Sequence, residues 1–233
     1  MPADPKALSK IYSRLDTART LTRRRRPAET SRASRVEALD ALLGGGLWLG
    51  GLIEIVGRRS CGRFSTLLQT LATFTRRGEV AALIDLGDGL DPRAATDAGI
   101  DTARLLWARP RHLKPALIAT ELLLNTGFPL VVLDLGSPPV AGGRGPEASW
   151  IRLARTAREH QSILLVSSPY RASGTTAQVV VESSRVTARW QGTERTPKLL
   201  RALSTRLHLA KAIGRGPAPP QFSNWHSGLG LRP

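Results

Sequence analysis

Two glycines separated by four residues, Gly57 and Gly62, follow a short apolar run and precede a helical pattern. In a phosphate-binding loop such glycines let backbone N–H groups surround a phosphate. The lysine after the second glycine reaches the terminal phosphates, and the next residue, Ser or Thr, holds Mg²⁺. Here Arg63 takes the lysine position and Phe64 the Mg²⁺ position, where it offers no oxygen to a hard cation. Ser65 comes one residue late and points about 100° away on a helix. These residues predict a degenerate loop on a scaffold that works by binding and could still hold a bare phosphate or sulfate.

The residues around this loop predict the elements that position it. Leu52–Val56 is apolar and rich in Ile, which is typical of a buried strand, and apolar residues then recur at a helical spacing from residue 64 to 71. Strands and helices alternate from there on, which predicts an α/β fold with a mostly parallel sheet flanked by helices. After Pro169 two segments alternate with period two, and 204–213 fits either a strand or a helix; we expect a C-terminal antiparallel β extension. The other predicted strands are 79–86, 103–108, 129–135 and 162–167. The other predicted helices are 36–46, a short one that follows a turn within 88–100, 112–126 and 148–160.

Composition divides the chain into a basic N-terminal arm, 1–35, a core domain, 36–213, and a flexible C-terminal tail, 214–233. The tail is rich in Pro, Gly and Ser and lacks periodicity, which predicts disorder. Within it Phe222 and Trp225 are spaced apolar anchors of the kind that bind a partner, although a frayed end is equally compatible with the pattern.

The arm contains two features that could contact a partner or DNA. Leu8, Ile11 and Leu15 lie at helical spacing among Lys and Arg, so they predict an amphipathic helix that packs on its own domain or on a neighbouring subunit. Four consecutive arginines follow and could contact nucleic-acid phosphates or belong to a solvated linker. They are Arg23, Arg24, Arg25 and Arg26.

The formal net charge of +16 is concentrated at the two ends of the chain. Residues 1–35 hold ten Lys and Arg against three Asp and Glu, and residues 191–233 hold seven against one. Such ends attract nucleic acid or an acidic protein surface, and solvated tails that aid solubility are the alternative.

Several classes of protein are not expected from this sequence. No apolar run approaches the roughly 18–20 residues of a membrane span, and the N-terminus lacks the apolar stretch of a secretory signal. The single cysteine, Cys61, fits a reducing cytoplasm, and the four histidines form no metal signature with it. We therefore expect a cytoplasmic protein without a bound metal, a cofactor or catalytic residues.

Residues 36–190 resemble the RecA-like recombinase superfamily. The resemblance lies in VEALDALLGGGLWLGGLIEIVGRRSCGRFS at 36–65, in RRGEVAALIDLGDGLDPRAATDAGIDTARLL at 76–106 with its Asp-Pro turn, and in the Walker B-like LVVLDL at 130–135. The size, arginine content and decayed loop look most like the ImuA family of the bacterial damage-induced mutagenesis cassette.

The resemblance also implies site residues, several of which are altered. The Walker B aspartate is retained as Asp134, but the water-activating glutamate of RecA aligns with Gly87, counted from Asp85. The γ-phosphate sensor aligns with Ser168, and the residue that stacks on adenine aligns with Ala94. We expect ATP hydrolysis and tight ATP–Mg²⁺ binding to be absent. We also expect Asp85 and Asp134 to hold loop N–H groups at the strand ends.

By this resemblance the protein is expected to be a non-catalytic adaptor of the SOS-type damage response and of error-prone translesion synthesis. It would bind RecA and ImuB, and through ImuB an error-prone DnaE-type polymerase, and self-association is possible. Weak DNA binding without sequence preference through the basic ends could coexist with this role or define a recombination accessory protein. A SulA-like cell-division inhibitor that binds FtsZ is an alternative, and an active RecA-like ATPase is disfavoured by Arg63, Phe64 and Gly87.

Overall fold

The computed structural model describes residues 31–136, 145–192, 198–213 and 222–228. Five helices and ten strands form in this part of the chain, together with a 3₁₀ turn. In chain order they are β1 (Ser31–Arg32), α1 (Glu37–Leu43), β2 (Leu47–Trp48), β3 (Leu52–Val56), α2 (Arg63–Arg76), β4 (Ala81–Asp85), α3 (Pro92–Asp97), the 3₁₀ turn (Thr102–Arg104), β5 (Leu105–Ala108), α4 (Leu113–Asn125), β6 (Leu130–Asp134), α5 (Glu147–Glu159), β7 (Ile163–Ser168), β8 (Val179–Gln191), β9 (Leu199–Ala212) and β10 (Phe222–Gly228).

Eight of the strands form one sheet in the order β10-β9-β8-β3-β7-β6-β4-β5. All pairs from β8 to β5 are parallel, whereas β8–β9 and β9–β10 are antiparallel. The prediction of a mostly parallel α/β sheet with a C-terminal antiparallel extension is therefore confirmed.

Helices cover both faces of the sheet, and each face has its own apolar core. The first core joins α1, α2 and α3 to the sheet and contains Phe74 and Leu83. The second joins α4 and α5 to the opposite face and contains Trp150 and Leu133. Because β4, β6 and β7 are buried on both faces, their sequences are nearly continuous apolar runs, as is usual for parallel sheets.

Three segments differ from the sequence-based expectation. The region after Pro169 that alternates with period two was expected to form two extended segments. It forms the single strand β8, which continues through several shifts of its pairing register with β9. Residues 222–228, expected to belong to a flexible tail, form β10, because Phe222 to Gly228 pair in an unbroken antiparallel register with β9. The two-residue hairpin β1–β2 was not expected, since elements of that length leave no periodic pattern.

Some expectations fall outside the described residues. The N-terminal helix with Leu8, Ile11 and Leu15 belongs to this group, as does the run Arg23 to Arg26. No helix in the described ranges is long and apolar enough to cross a membrane.

Candidate phosphate-loop site

The loop that carries the two glycines lies at the centre of the sheet. It leaves the carboxyl end of β3, which pairs with β7 on one side and with β8 on the other. Helix α2 begins at Arg63, directly after Gly62, whose φ of 87° places it in the left-handed region that glycine enters without strain. The strand, glycine loop and helix predicted from the sequence are thus present.

Arg63 points into the protein. Its side chain is 9% exposed, and its Nη2 donates a hydrogen bond of 2.5 Å to the carbonyl oxygen of Gly136, in the segment after β6. The same Nη2 lies 3.9 Å from Oδ1 of Asp134. Nη1 is buried and has no hydrogen-bond partner among the described residues. Burial lowers the pKa of Arg63, and the neighbouring Asp134 carboxylate opposes that effect. The cation at the lysine position therefore bridges the loop of β3 to the end of β6.

Asp134 is the second buried charge of this site. Its Oδ1 accepts a hydrogen bond of 2.6 Å from Ser167 Oγ on the adjacent strand β7. Burial raises the pKa of Asp134, while the bond from Ser167 and the nearby Arg63 act in the opposite direction. The Walker B-like carboxylate is thus engaged by side chains of this chain, and it also accepts a backbone hydrogen bond from Gly136, as expected for an aspartate that holds a loop N–H at a strand end.

Phe64 and its neighbours offer little to a cation. The Phe64 ring packs against the first apolar core and faces Gly89, where a Cβ would lie 3.8 Å from the ring. Ser65 is partly exposed, and Thr66 Oγ1 donates to the carbonyl oxygen of Gly62 within its own helix. Within the described ranges no group of three or more His, Cys, Asp or Glu side chains is arranged to hold a metal. Phe64 therefore supplies no oxygen at the position where this loop type usually holds Mg²⁺.

The position that aligns with the water-activating glutamate is sterically closed. A Cβ on Gly87 would lie 2.6 Å from the Cα of Gly136, closer than such atoms approach in proteins. Two backbone segments, one after β4 and one after β6, therefore meet where a longer side chain would have to stand.

The strands β8 and β9 close over the loop from the other side. Ser183 Oγ donates a hydrogen bond of 2.8 Å to the carbonyl oxygen of Cys61. A Cβ on Gly62 would overlap Oγ1 of Thr205 and would lie 2.9 Å from both its Cβ and its Cγ2. Thr205 is fully buried, and its Oγ1 has no hydrogen-bond partner in the described part of the chain. Sequence reasoning missed Ser183 in β8 and Thr205 in β9, because no local pattern brings these strands beside a loop more than a hundred residues earlier.

Asp85, at the end of β4, fixes the next loop. Its Oδ1 accepts from the backbone N–H of Gly89 at 3.0 Å, and its Oδ2 accepts from that of Leu90 at 2.9 Å and from Trp107 Nε1 at 3.3 Å. The expectation that Asp85 holds loop N–H groups at a strand end is confirmed.

A buried carboxylate that sequence reasoning did not single out lies in β3 itself. Glu54 is fully buried, and its oxygens accept from Ser168 Oγ at 2.8 Å, from the N–H of Ala172 at 2.6 Å and from Ser173 Oγ. Ser168, which aligns with the γ-phosphate sensor, is therefore bonded to Glu54. The available signal was a Glu inside a buried strand, since Glu is almost never fully buried unless it is paired.

The remaining predicted site residues are spread over the molecule. Ala94 lies in α3, the short helix whose N-cap Asp91 accepts from the N–H of Arg93. Phe222 and Trp225 lie in β10, where Trp225 is the register partner of Thr205 in β9. The structure thus brings together Gly57, Gly62, Arg63 and Asp134, and it places the predicted C-terminal anchors on a strand at the edge of the same sheet.

The raised pKa of Asp134 predicts a pH dependence of stability. The folded protein binds this proton more tightly than the unfolded chain does, whose Asp pKa is about 3.9. The contribution of Asp134 to the free energy of unfolding is therefore fully present below that value and is lost as the pH rises through the raised pKa. We expect the stability of the wild type relative to Asp134→Asn to fall as the pH rises above about 4 towards the raised pKa of Asp134, by about 1.4 kcal/mol for every tenfold difference in proton affinity between the folded and unfolded states. Urea unfolding of both proteins at several pH values measures the difference, and a flat or rising difference would contradict the assignment.

The fold and the loop define a protein class, and comparisons with known proteins agree with it. The chain belongs to the RecA N-terminal domain family, whose model matches residues 7–139. It is similar to the protein RecA of Mycoplasma genitalium, with 36% identity over 107 residues that cover 46% of this chain and 32% of that protein. It is also similar to the protein RecA of Mycobacteroides abscessus, with 40% identity over 99 residues that cover 42% and 29% of the two chains. The match thus spans about a third of the length of these relatives.

A solved structure supports the same fold. The crystal structure of the RadB recombinase superposes with a TM-score of 0.61 and covers 82% of this chain and 94% of its own, at 17% sequence identity. At that identity the likeness concerns the fold. The expected resemblance to the RecA-like superfamily is confirmed.

Proposed function

We propose that this protein is a non-catalytic RecA-like adaptor of the DNA-damage response, which acts in error-prone translesion synthesis of the ImuA type. It binds RecA and ImuB in the cytoplasm, and through ImuB an error-prone polymerase. Membership in the RecA N-terminal domain family and the basic charge at the two ends of the chain support the proposal.

The observation that carries the non-catalytic part is the contact of Arg63 with Gly136 and Asp134. Phosphoryl transfer needs Mg²⁺, a cationic clamp and a group that positions water. The cation in the clamp position is engaged by the protein, Phe64 stands at the Mg²⁺ position, and Gly87 lies against Gly136 at the water-positioning site. Each of the three requirements lacks its usual group.

We expect no ATP hydrolysis by the purified protein, with or without single-stranded DNA. The double variant Arg63→Lys/Phe64→Thr should also remain inactive, since it restores the loop residues while leaving the Gly87–Gly136 contact in place. The rate of inorganic phosphate release from ATP is measured for both proteins. Hydrolysis by the wild type that is lost in Arg63→Ala would overturn the proposal.

The adaptor part is tested by direct binding. Nuclease-treated protein should retain RecA and ImuB from the same organism in a pull-down without DNA. In the full-length chain, the triple variant Leu8→Ser/Ile11→Ser/Leu15→Ser should lose one of the two partners while the core stays folded. If the wild type retains neither partner, the adaptor proposal fails, and FtsZ becomes the next bait because a SulA-like inhibitor is the remaining alternative.

A second candidate function, weak DNA binding, is favoured by the distribution of charge. The basic ends would contact phosphates, so affinity should fall steeply with salt and depend little on sequence. Replacing Arg23, Arg24, Arg25 and Arg26 together by Ala should weaken binding to single-stranded oligonucleotides and reduce the salt dependence. Fluorescence anisotropy at several salt concentrations measures this, and an unchanged salt slope would place the contact elsewhere.

A further inference from the structure

A groove of about 440 Å³ lies between α4 and α5, on the face of the sheet opposite to helix α2. It shares no residue with the phosphate-loop site. The residues that line it come from the beginnings of the two helices and from the segment that enters α5. They are His112, Leu113, Lys114, Leu117, Ile118, Gly145, Pro146, Ser149 and Arg152.

The floor of the groove is apolar. Leu113 and Leu117 are almost completely buried, and Gly145, with a φ of 74°, passes so close that a Cβ there would lie 3.2–3.3 Å from their side chains. Ile118 stands at the rim with 56% of its surface exposed. A single exposed apolar residue is ordinary on a protein surface. Ile118, however, lies beside an apolar groove, so an apolar side chain of a partner could pack against both the groove floor and Ile118.

The rim of the groove is positively charged. Lys114 is exposed on one side and Arg152 on the other, and none of the lining residues is acidic. The acid on α4, Glu121, pairs with Arg152 Nε at 2.7 Å, and a guanidinium has further N–H groups that can donate to a second carboxylate. Helix α4 begins at the groove without a side-chain cap and without an acidic residue in its first turn, so its dipole adds positive potential there, whereas Glu147 offsets the dipole of α5.

This charge selects among possible occupants. The two ends of this chain are strongly basic, with ten Lys and Arg against three Asp and Glu in residues 1–35. A basic rim disfavours them and disfavours the corresponding segments of a second copy. The groove instead complements an apolar side chain flanked by carboxylates.

We propose that the α4–α5 groove binds an acidic segment of a partner protein. One apolar side chain of that segment inserts between Leu113, Leu117 and Ile118. Lys114 and Arg152 bind the carboxylates on either side of it. This proposal rests on the proposed function, because the partner is one of the proteins that the adaptor recruits.

The test compares three full-length variants for binding to RecA and to ImuB of the same organism, with nuclease-treated proteins in a calorimeter. Ile118→Glu places a charge on the apolar rim and Lys114→Glu reverses the charge that meets the carboxylates. Ile151→Glu is the matched control, because Ile151 is 55% exposed, also lies on a helix of this face and does not line the groove. Ile118→Glu should weaken one partner roughly tenfold to a hundredfold, Lys114→Glu several-fold, and Ile151→Glu less than twofold.

A photo-crosslinker at position 118 then identifies the occupant. A crosslink to an acidic, apolar segment of the weakened partner supports the proposal. A crosslink to residues 1–30 of this chain, to a second copy, or to added single-stranded DNA would overturn it. Equal binding by all three variants would contradict the groove proposal and leave the proposed adaptor function intact. If the wild type binds neither partner, both the groove proposal and the adaptor function are wrong.

Discussion

Replacing Gly62 by alanine is expected to destabilise the protein by about 3 kcal/mol or more, because two costs add. The φ of 87° is a conformation that an alanine adopts only with strain. The new Cβ would also stand 2.9 Å from the Cβ and Cγ2 of the fully buried Thr205, so β9 or the loop has to move. Thermal and urea unfolding monitored by circular dichroism measures the loss.

Gly78→Ala is the matched control for the first of these costs. Gly78 has a φ of 82°, but a Cβ there would meet only the side chain of Arg104, at 3.9 Å. This variant should lose about 1–2 kcal/mol. The double variant Gly62→Ala/Thr205→Ala should recover part of the stability lost by Gly62→Ala, since it removes Cγ2 and Oγ1. Equal losses for Gly62→Ala and Gly78→Ala would mean that β9 does not press on the loop.

Replacing Glu54 by alanine is expected to cost about 3–5 kcal/mol, since the carboxylate is the acceptor for several buried donors. Its removal would leave the N–H of Ala172 and the hydroxyl of Ser173 buried without their acceptor. These groups belong to the connection between β7 and β8, so the change should loosen that connection in addition to lowering global stability. Urea unfolding measures the loss, and hydrogen exchange at the Ala172 amide should become faster.

Glu182→Ala is the matched control for Glu54→Ala. Glu182 is the register partner of Val56 at the end of the same strand, and its carboxylate pairs with Arg171 at 3.1 Å while about half exposed. Exposed pairs of this kind contribute about 0–1 kcal/mol. If the two variants lost equal stability, the hydrogen bonds to Glu54 would not be the cause.

Much of this fold was accessible from the sequence because its signals are local. The strand Leu52–Val56 has the bounds that its apolar run predicts, and α2 begins at Arg63, where the glycine loop ends. The glycine after residue 43, the Asp-Pro turn before α3 and the apolar runs of β4, β6 and β7 are also local signals. Each of them restricts backbone geometry or burial within a few residues, so no tertiary information is needed to interpret it.

The geometry of the candidate site was less accessible because its contacts are long-range. The sequence identified Arg63 as the altered residue but could not show that its guanidinium bonds to Gly136, since that depends on how two strands separated by β7 align. The contact of Thr205 with Gly62 depends on the register of β9, which contains irregular shifts against β8. The strand Phe222–Gly228 was predicted to be disordered, because its Ser, Asn and Gly residues lower its strand propensity more than its two aromatic residues raise it. Its pairing with β9, which forms the strand, is not visible in the local sequence.

The position of β3 in the sheet has a consequence for how the protein is made. Both of its neighbours come from much later in the chain, since Leu52 pairs with Leu164 and Ile53 with Val179. At roughly 5–20 residues per second, a ribosome needs on the order of ten seconds to travel from β3 to β8. During that interval the strand is an unpaired apolar segment, the kind that recruits chaperones or aggregates. The glycine loop, although encoded in the first third of the chain, is among the last parts of the native structure to be completed, because Thr205 reaches Gly62 only after β9 has been synthesised.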